Sequence, residues 1–181
     1  MTLVQEPKLY GLVAEFSDPD VLLTAAKQTH NAGYRKLDAF SPFPVHGLSD
    51  AIAFEDYKVP WTVFFMGLLG VTCGFAMQIY VSYIDYPLNV GGRPMLSWPQ
   101  FIPVAFECTI LFAAYSAVFG MLAYNGFPRP YQSIFNTPRF DLASQDRFFL
   151  AVESEDPKFD IEHTEAFLRS VGANTVSIVQ K

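Results

Sequence analysis

Cysteine is scarce in this 181-residue chain: Cys73 and Cys108 are the only two, and both lie inside apolar stretches. Disulfide frameworks, zinc knuckles and iron–sulfur clusters need closely spaced or paired cysteines in polar loops, so none of them fits this sequence. Histidine is almost as scarce: His30, His46 and His163 all fall outside the apolar runs. A haem b held between membrane helices needs histidines within them, and haem c needs a Cys-x-x-Cys-His motif. Both are missing. No basic stripe accompanies the net charge of −6, which argues against nucleic acid as a partner. The opening Met-Thr-Leu-Val-Gln-Glu-Pro-Lys has neither the basic nor the apolar region of a signal peptide. The N-terminus is therefore expected to stay in the cytoplasm.

Charge is the third scarcity, and it is local. Between Pro60 and Phe127 the charged residues are Asp85, Arg93 and Glu107 alone, although the chain as a whole is 17% charged, 51% apolar and rich in phenylalanine. The run Val59–Tyr83 has no charge, and Trp98–Tyr124 has only Glu107. Each exceeds the roughly 20 apolar residues that span a hydrocarbon core of about 30 Å. Trp61, Tyr80 and Tyr83 edge the first run, and Trp98 and Tyr124 the second. Such half-apolar, half-polar rings favour the membrane interface. The flanking pieces are too small to cover two helices that are apolar on all faces. We therefore expect a transmembrane hairpin over residues 58–126, with helices at about 59–83 and 98–124 and an outer loop at 84–97. Lys58 and Arg129 sit just beyond its outer ends, while Arg93 is the one basic residue in the loop. The positive-inside rule then places both termini in the cytoplasm and the loop outside.

Small residues mark both helices: Gly67, Gly70, Gly74 and Ala76 on the first, and Ala113, Ala114, Ala117 and Gly120 on the second. They permit close backbone approach, and they exceed what a single helix contact uses.

Set the hairpin aside and the two ends repeat each other. Glu15, Asp18 and Pro19 recur at the same spacing as Glu153, Asp156 and Pro157, and Gly33 and Gly172 follow the prolines by 14 and 15 residues. Each unit reads strand, helix, strand: Leu9–Phe16 and Phe148–Glu153 lead, Tyr34–Phe40 and Thr175–Val179 return. Asp18 and Asp160 are the expected helix N-caps, and Gly33 and Gly172 the left-handed residues that end each helix. Two βαβ units give a four-stranded sheet with two helices. The predicted class is thus an α+β membrane protein. Its ferredoxin-like βαβ–βαβ cytoplasmic domain, residues 1–57 and 147–181, is split by the inserted hairpin. Residues 127–146, with three prolines and several aromatics, are expected to run as an extended strap along the membrane surface. A rival arrangement has two separate surface lobes.

Among side chains that could carry chemistry, Glu107 stands out. A carboxylate inside hydrocarbon is expensive and marks a proton or ion path, or a structural pairing with a neighbouring helix. Gln78 lies at a comparable depth on the first helix and is a candidate partner. Asp85 and Arg93 in the turn-rich loop, Arg129 after the second helix and His46 in the segment Phe-Pro-Val-His-Gly are candidate partner contacts. His30 and His163 fall within predicted helices and read as surface imidazoles. The Gly91–Gly92 pair lacks the strand–loop–helix setting of a phosphate loop.

Several long runs carry a family resemblance: YGLVAEF with the following DP, SPFPVHGL, DYPLNVGGRPMLSWPQFIPVAFE, GFPRPYQSIFN and RFDLASQDRFFL. The chain resembles the ActD family, membrane components of bacterial alternative complex III, a quinol:cytochrome c (or quinol:oxidase) oxidoreductase. The resemblance extends from about Tyr10 to the C-terminal helix. It implies a protein of two transmembrane helices and a cytoplasmic domain that binds no cofactor itself. Haem c and iron–sulfur clusters belong to a multihaem cytochrome c subunit and an iron–sulfur subunit, and quinol to NrfD-type membrane subunits. Where the family commonly reads PRPYHP, this chain has Gln132 and Ser133, so no role for a histidine there carries over.

The expectation is a non-catalytic accessory subunit in the bacterial inner membrane. Two alternatives stand beside it: participation of Glu107 in a proton path, and a free-standing membrane-tethered sensor whose sandwich binds a small ligand.

Overall fold

The computed structural model describes residues 9–181; the first eight residues of the expected 1–57 half lie outside them. The chain divides into two compact units, one running to Glu55 and resuming over Pro130–Lys181, the other covering Asp56–Arg129.

The first unit is a four-stranded antiparallel sheet with helices. Its strands are β1 (Leu9–Phe16), β2 (Leu37–Phe40), β3 (Phe148–Glu153) and β4 (Thr175–Gln180). Their order is β2-β3-β1-β4. β1 pairs with β3 in the register Gly11 to Glu153 through Phe16 to Phe148, and on its other edge with β4. β2 pairs with β3. Both terminal pieces of the sequence thus contribute to one sheet, which excludes two separate lobes. β1 and β2 run in the same direction with β3 between them, so no neighbouring strands are parallel. Each half interleaves with the other because neither strand pair alone buries a sheet face.

The helices begin and end as their residues dictate. α1 (Pro19–Asn31) starts at Asp18, whose Oδ1 accepts from the backbone N–H groups of Asp20 and Val21. Short α2 (Leu48–Ala51) follows β2. The last helix of this unit, Ile161–Ser170, starts at Asp160, which accepts from His163 N–H at 2.9 Å. Gly33 and Gly172 follow the two long helices at φ of 103° and 99°, where a Cβ would be strained. The second strand is shorter than the sequence implied. Tyr34 lies outside it and is buried in the core, its hydroxyl 3.0 Å from Thr164 Oγ1. The ring closes the gap between the helices, and backbone needed for that turn cannot also join the ladder.

Alternation along the strands sets two faces. Leu12, Ala14, Phe16, Phe148, Leu150 and Val152 pack with Leu22, Ala25, Ala26 and Leu168 from the helices. Val13, Phe149, Ala151 and Val179 face the other way and pack with Ile134, Phe140 and Ala143. The segment expected as an extended strap therefore folds into two 3-10 turns, Ser133–Asn136 and Phe140–Ser144, because the sheet's second face is apolar and must be covered. Replacing fully buried Ile134 by Ala is expected to cost about 2–3 kcal/mol. Phe135, which is exposed, should tolerate alanine. Chemical unfolding of the two variants in detergent checks this, and equal losses would mean that the turns do not cap the sheet.

The second unit is a helical hairpin. α3 (Lys58–Ile79) continues as a π-helical segment through Asp85, and a 3-10 turn at Trp98–Phe101 leads into α4 (Ile102–Tyr124). In chain order the Ile161–Ser170 helix is then α5.

Candidate functional site

The α3–α4 contact is built on absent side chains. A Cβ on Gly70 would lie 2.6 Å from the Cys108 carbonyl oxygen, and one on Gly74 would lie 2.9 Å from Ala105 Cα. At both ends a polar clamp closes the pair. Gln78 Nε2 donates to the carbonyls of Phe101 and Gly74 at 2.9 and 3.1 Å. Thr62 Oγ1 and Tyr124 Oη lie 2.7 Å apart. Gln78 is thus committed to holding the start of α4.

Glu107 is exposed and, among the described residues, has neither a hydrogen bond nor an ion pair. The structure does not bring it to Gln78. It lies on the side of α4 away from Ala105 and Thr109, the residues that meet α3. Asp85 and Arg93 are both exposed and form no ion pair with each other among the described residues. Arg129 is exposed at the end of this unit. His46 is exposed beside Gly47, whose φ of 79° starts α2. Among the described residues, no hydrogen bond or ion pair joins any two of the five candidates in the hairpin unit.

Around them the helices show unusual surface. Lys58–Asp85 and Trp98–Tyr124 are both long and apolar enough to cross a membrane, and only 17% and 11% of their most apolar stretches are buried within the chain. Core helices of a soluble domain would be mostly buried. Phe64, Phe65, Leu68, Leu111, Val118 and Phe119 are among the exposed residues. Between the helices Met66, Leu111, Phe112, Tyr115, Ser116 and Phe119 line a groove of about 440 Å³.

In the sheet domain, three carboxylates make contacts that the sequence pattern does not foretell. Asp156 is buried and its carboxylate accepts three backbone N–H groups, from Arg35 at 2.6 Å and from Lys36 and Lys158 at 2.8 Å. Burial works to raise its pKa, but those bonds and the Lys36 charge outweigh it and hold the carboxyl below its ordinary value. Glu15, buried on β1, lies 3.1 Å from Arg139 Nη2 and 3.7 Å from Arg147 Nε. Arg139 adopts φ 62°, uncommon for a residue with a Cβ. Asp38 borders a cleft with Ser41, Val45, Leu48, Ile52 and Phe54; burial raises its pKa, partly offset by the Ala39 N–H. Asp156 recurs with Asp18 in the repeat, but Asp160 is the expected cap of the second helix, so the repeat assigns Asp156 no role. Asp156 instead binds across the repeat. No group of three or more His, Cys, Asp or Glu able to hold a metal occurs among the described residues.

The structure thus combines a small α+β sheet domain with two long helices whose apolar sides the chain itself leaves uncovered. The ActD family model, described as alternative complex III, ActD subunit, matches residues 10–178. The chain belongs to that family: it is a subunit of alternative complex III and a part of respiratory electron transport, with activity residing in the complex. No curated protein matches it.

Proposed function

We propose that this chain is an accessory, cofactor-free integral membrane subunit that steadies alternative complex III beside its quinol-handling subunits. The observation that carries the reading is the pair of helices long enough to cross a bilayer yet almost uncovered by their own chain. Lipid and partner helices would cover them, as the absence of water in a bilayer core favours helices that satisfy their own backbone. Lys58 and Arg129 at the outer ends of the hairpin favour cytoplasmic termini in the bacterial inner membrane, with the loop carrying Asp85 and Arg93 on the opposite side. The strand order β2-β3-β1-β4 supports reading the sheet domain as a ferredoxin-like sandwich split by the hairpin. NrfD-type membrane subunits, a multihaem cytochrome c and an iron–sulfur protein are the expected partners, carrying haem c, clusters and quinol.

Gentle detergent purification through a tag on this chain tests the proposal, read by haem spectrum and mass spectrometry. Stoichiometric haem, iron–sulfur and quinol-handling partners are expected. A colourless chain recovered alone, even after milder extraction, would overturn it and turn attention to a membrane-tethered ligand sensor.

Exposed, unpaired Glu107 favours a second reading, in which it forms part of a proton path coupled to quinol oxidation. Such a relay predicts that Glu107→Gln, which keeps the shape but cannot carry the proton, abolishes proton uptake by the purified complex. Uptake retained alongside quinol oxidation sinks the relay.

A further inference from the structure

The position of Glu107 says more about what lies beside the hairpin. Glu107, Leu111, Ala114 and Val118 recur at spacings of four, three and four, so they share one face of α4. All four are exposed. α3 approaches from the far side, where Gly67 meets Thr109 and Ala113, and Gly74 meets Ala105 and Cys108. Leu111 also belongs to the groove of about 440 Å³ formed with Met66, Phe112, Tyr115, Ser116 and Phe119. The rings of Tyr115 and Phe119 stack at 6.0 Å and give that groove a flat wall. From Glu107 to Phe119 the surface runs about 18 Å along the axis, more than half of a bilayer core.

Glu107 lies nine residues into the span that begins at Trp98, about 13 Å along the helix. An ionisable group at such depth faces protein or a water-filled cavity rather than lipid tails, because hydrocarbon supplies no donor. Among the described residues its own chain supplies none either: Gln78 is held by Gly74 and Phe101. A second copy of the chain offers no basic residue at this depth: Lys58 is the first residue of α3, at the end of the hairpin where Thr62 meets Tyr124 and far from Glu107, and Arg93, the one cation between Pro60 and Phe127, lies in the connecting loop. Two copies packed about a two-fold on this face would set one Glu107 near the other. The complementary charge must come from a different chain.

We propose that the Glu107 face of α4, with the adjoining apolar groove, seats a membrane-spanning helix of another subunit, which presents a basic side chain to the Glu107 carboxylate. Ala114, two turns on, lets that helix approach closely, and the groove takes its bulky apolar residues. The segment is helical because backbone in hydrocarbon must satisfy its own hydrogen bonds. This inference rests on the reading of the chain as a membrane subunit, and deepens it by naming the contact face and the partner's chemistry.

The test uses the whole complex. A photo-crosslinking residue placed at Val118 should capture one particular membrane subunit, and one placed at Leu68, on the side of α3 away from α4, should not capture that subunit. Glu107→Lys should cause its loss from the complex purified through this chain, and Glu107→Gln should retain it. Crosslinks from Val118 only to lipid or to a second copy of this chain would overturn the proposal, as would full retention in Glu107→Lys. If the unmodified tagged chain brings down no other subunit, the membrane-subunit reading fails and this inference with it. An intact complex without the Val118 crosslink defeats the inference alone.

Discussion

Gly70→Val should separate α3 from α4. The added Cβ would meet the Cys108 carbonyl oxygen at 2.6 Å and Thr109 Cα at 2.9 Å, and both are backbone atoms that no rotamer change can remove. Relief requires the helices to move apart, which also draws Gly74 from Ala105 and pulls on the Gln78 bond to Phe101. Overpacking of this kind costs on the order of 3 kcal/mol. Gly67 is the internal control: its Cβ would meet only Thr109 Cγ2 at 3.6 Å and Ala113 Cβ at 3.8 Å, ordinary contact distances, so Gly67→Ala should be close to neutral. Thermal melting of the detergent-solubilised chain and its retention in the complex are the readouts. If Gly70→Val melts with the wild type, the close approach of the helices is wrong.

The second large effect is expected at Asp156. Its carboxylate ties the turn after β3 to the backbone of Arg35 and Lys36, which leads into β2. One side chain therefore joins segments that lie about 120 residues apart, on either side of the hairpin. Asp156→Ala leaves three N–H groups without their acceptor, and the expected cost is about 3–4 kcal/mol. Asp156→Asn, which keeps one acceptor oxygen and loses the charge, should cost roughly half as much.

The same residue gives a pH signature. Its folded pKa is depressed from 3.8, so its contribution is complete above that value and disappears as the pH falls through the lower folded one. Glu155, held at about 2 by Lys181 and Lys36, acts in the same direction but at an exposed site where solvent screens it. Stability of the wild-type sheet domain should thus fall below about pH 4, and Asp156→Ala should flatten that fall. Denaturation followed at several pH values in full-length protein checks it. An alanine variant with wild-type stability and an unchanged acid slope would remove Asp156 from this role.

Much of the molecule is determined by the sequence itself. Short runs of apolar and aromatic residues, Asp18 and Asp160 caps, and glycines at the helix ends act over a few residues, so β1, β3 and both capped helices can be read locally. The two apolar helices are equally local, since length and lack of charge need no partner to be visible. Other features depend on neighbours far along the chain. The sequence shows Tyr34 at the head of a strand-like run, yet its ring is drawn into the core by Thr164. Residues 133–144 look like a strap, but their fold follows from the apolar face formed by strands of both halves. Asp156 looks like the counterpart of Asp18, yet it binds across the repeat. The glycines announce a close contact, while only the packing assigns Gly67, Gly70 and Gly74 to α4 and leaves Glu107 and Ala114 facing outward. Local periodicity fixes which elements form, because backbone geometry repeats within a few residues. Which faces are spent inside the chain and which remain for others is decided by contacts between residues far apart in sequence, and those exist only once the chain has folded.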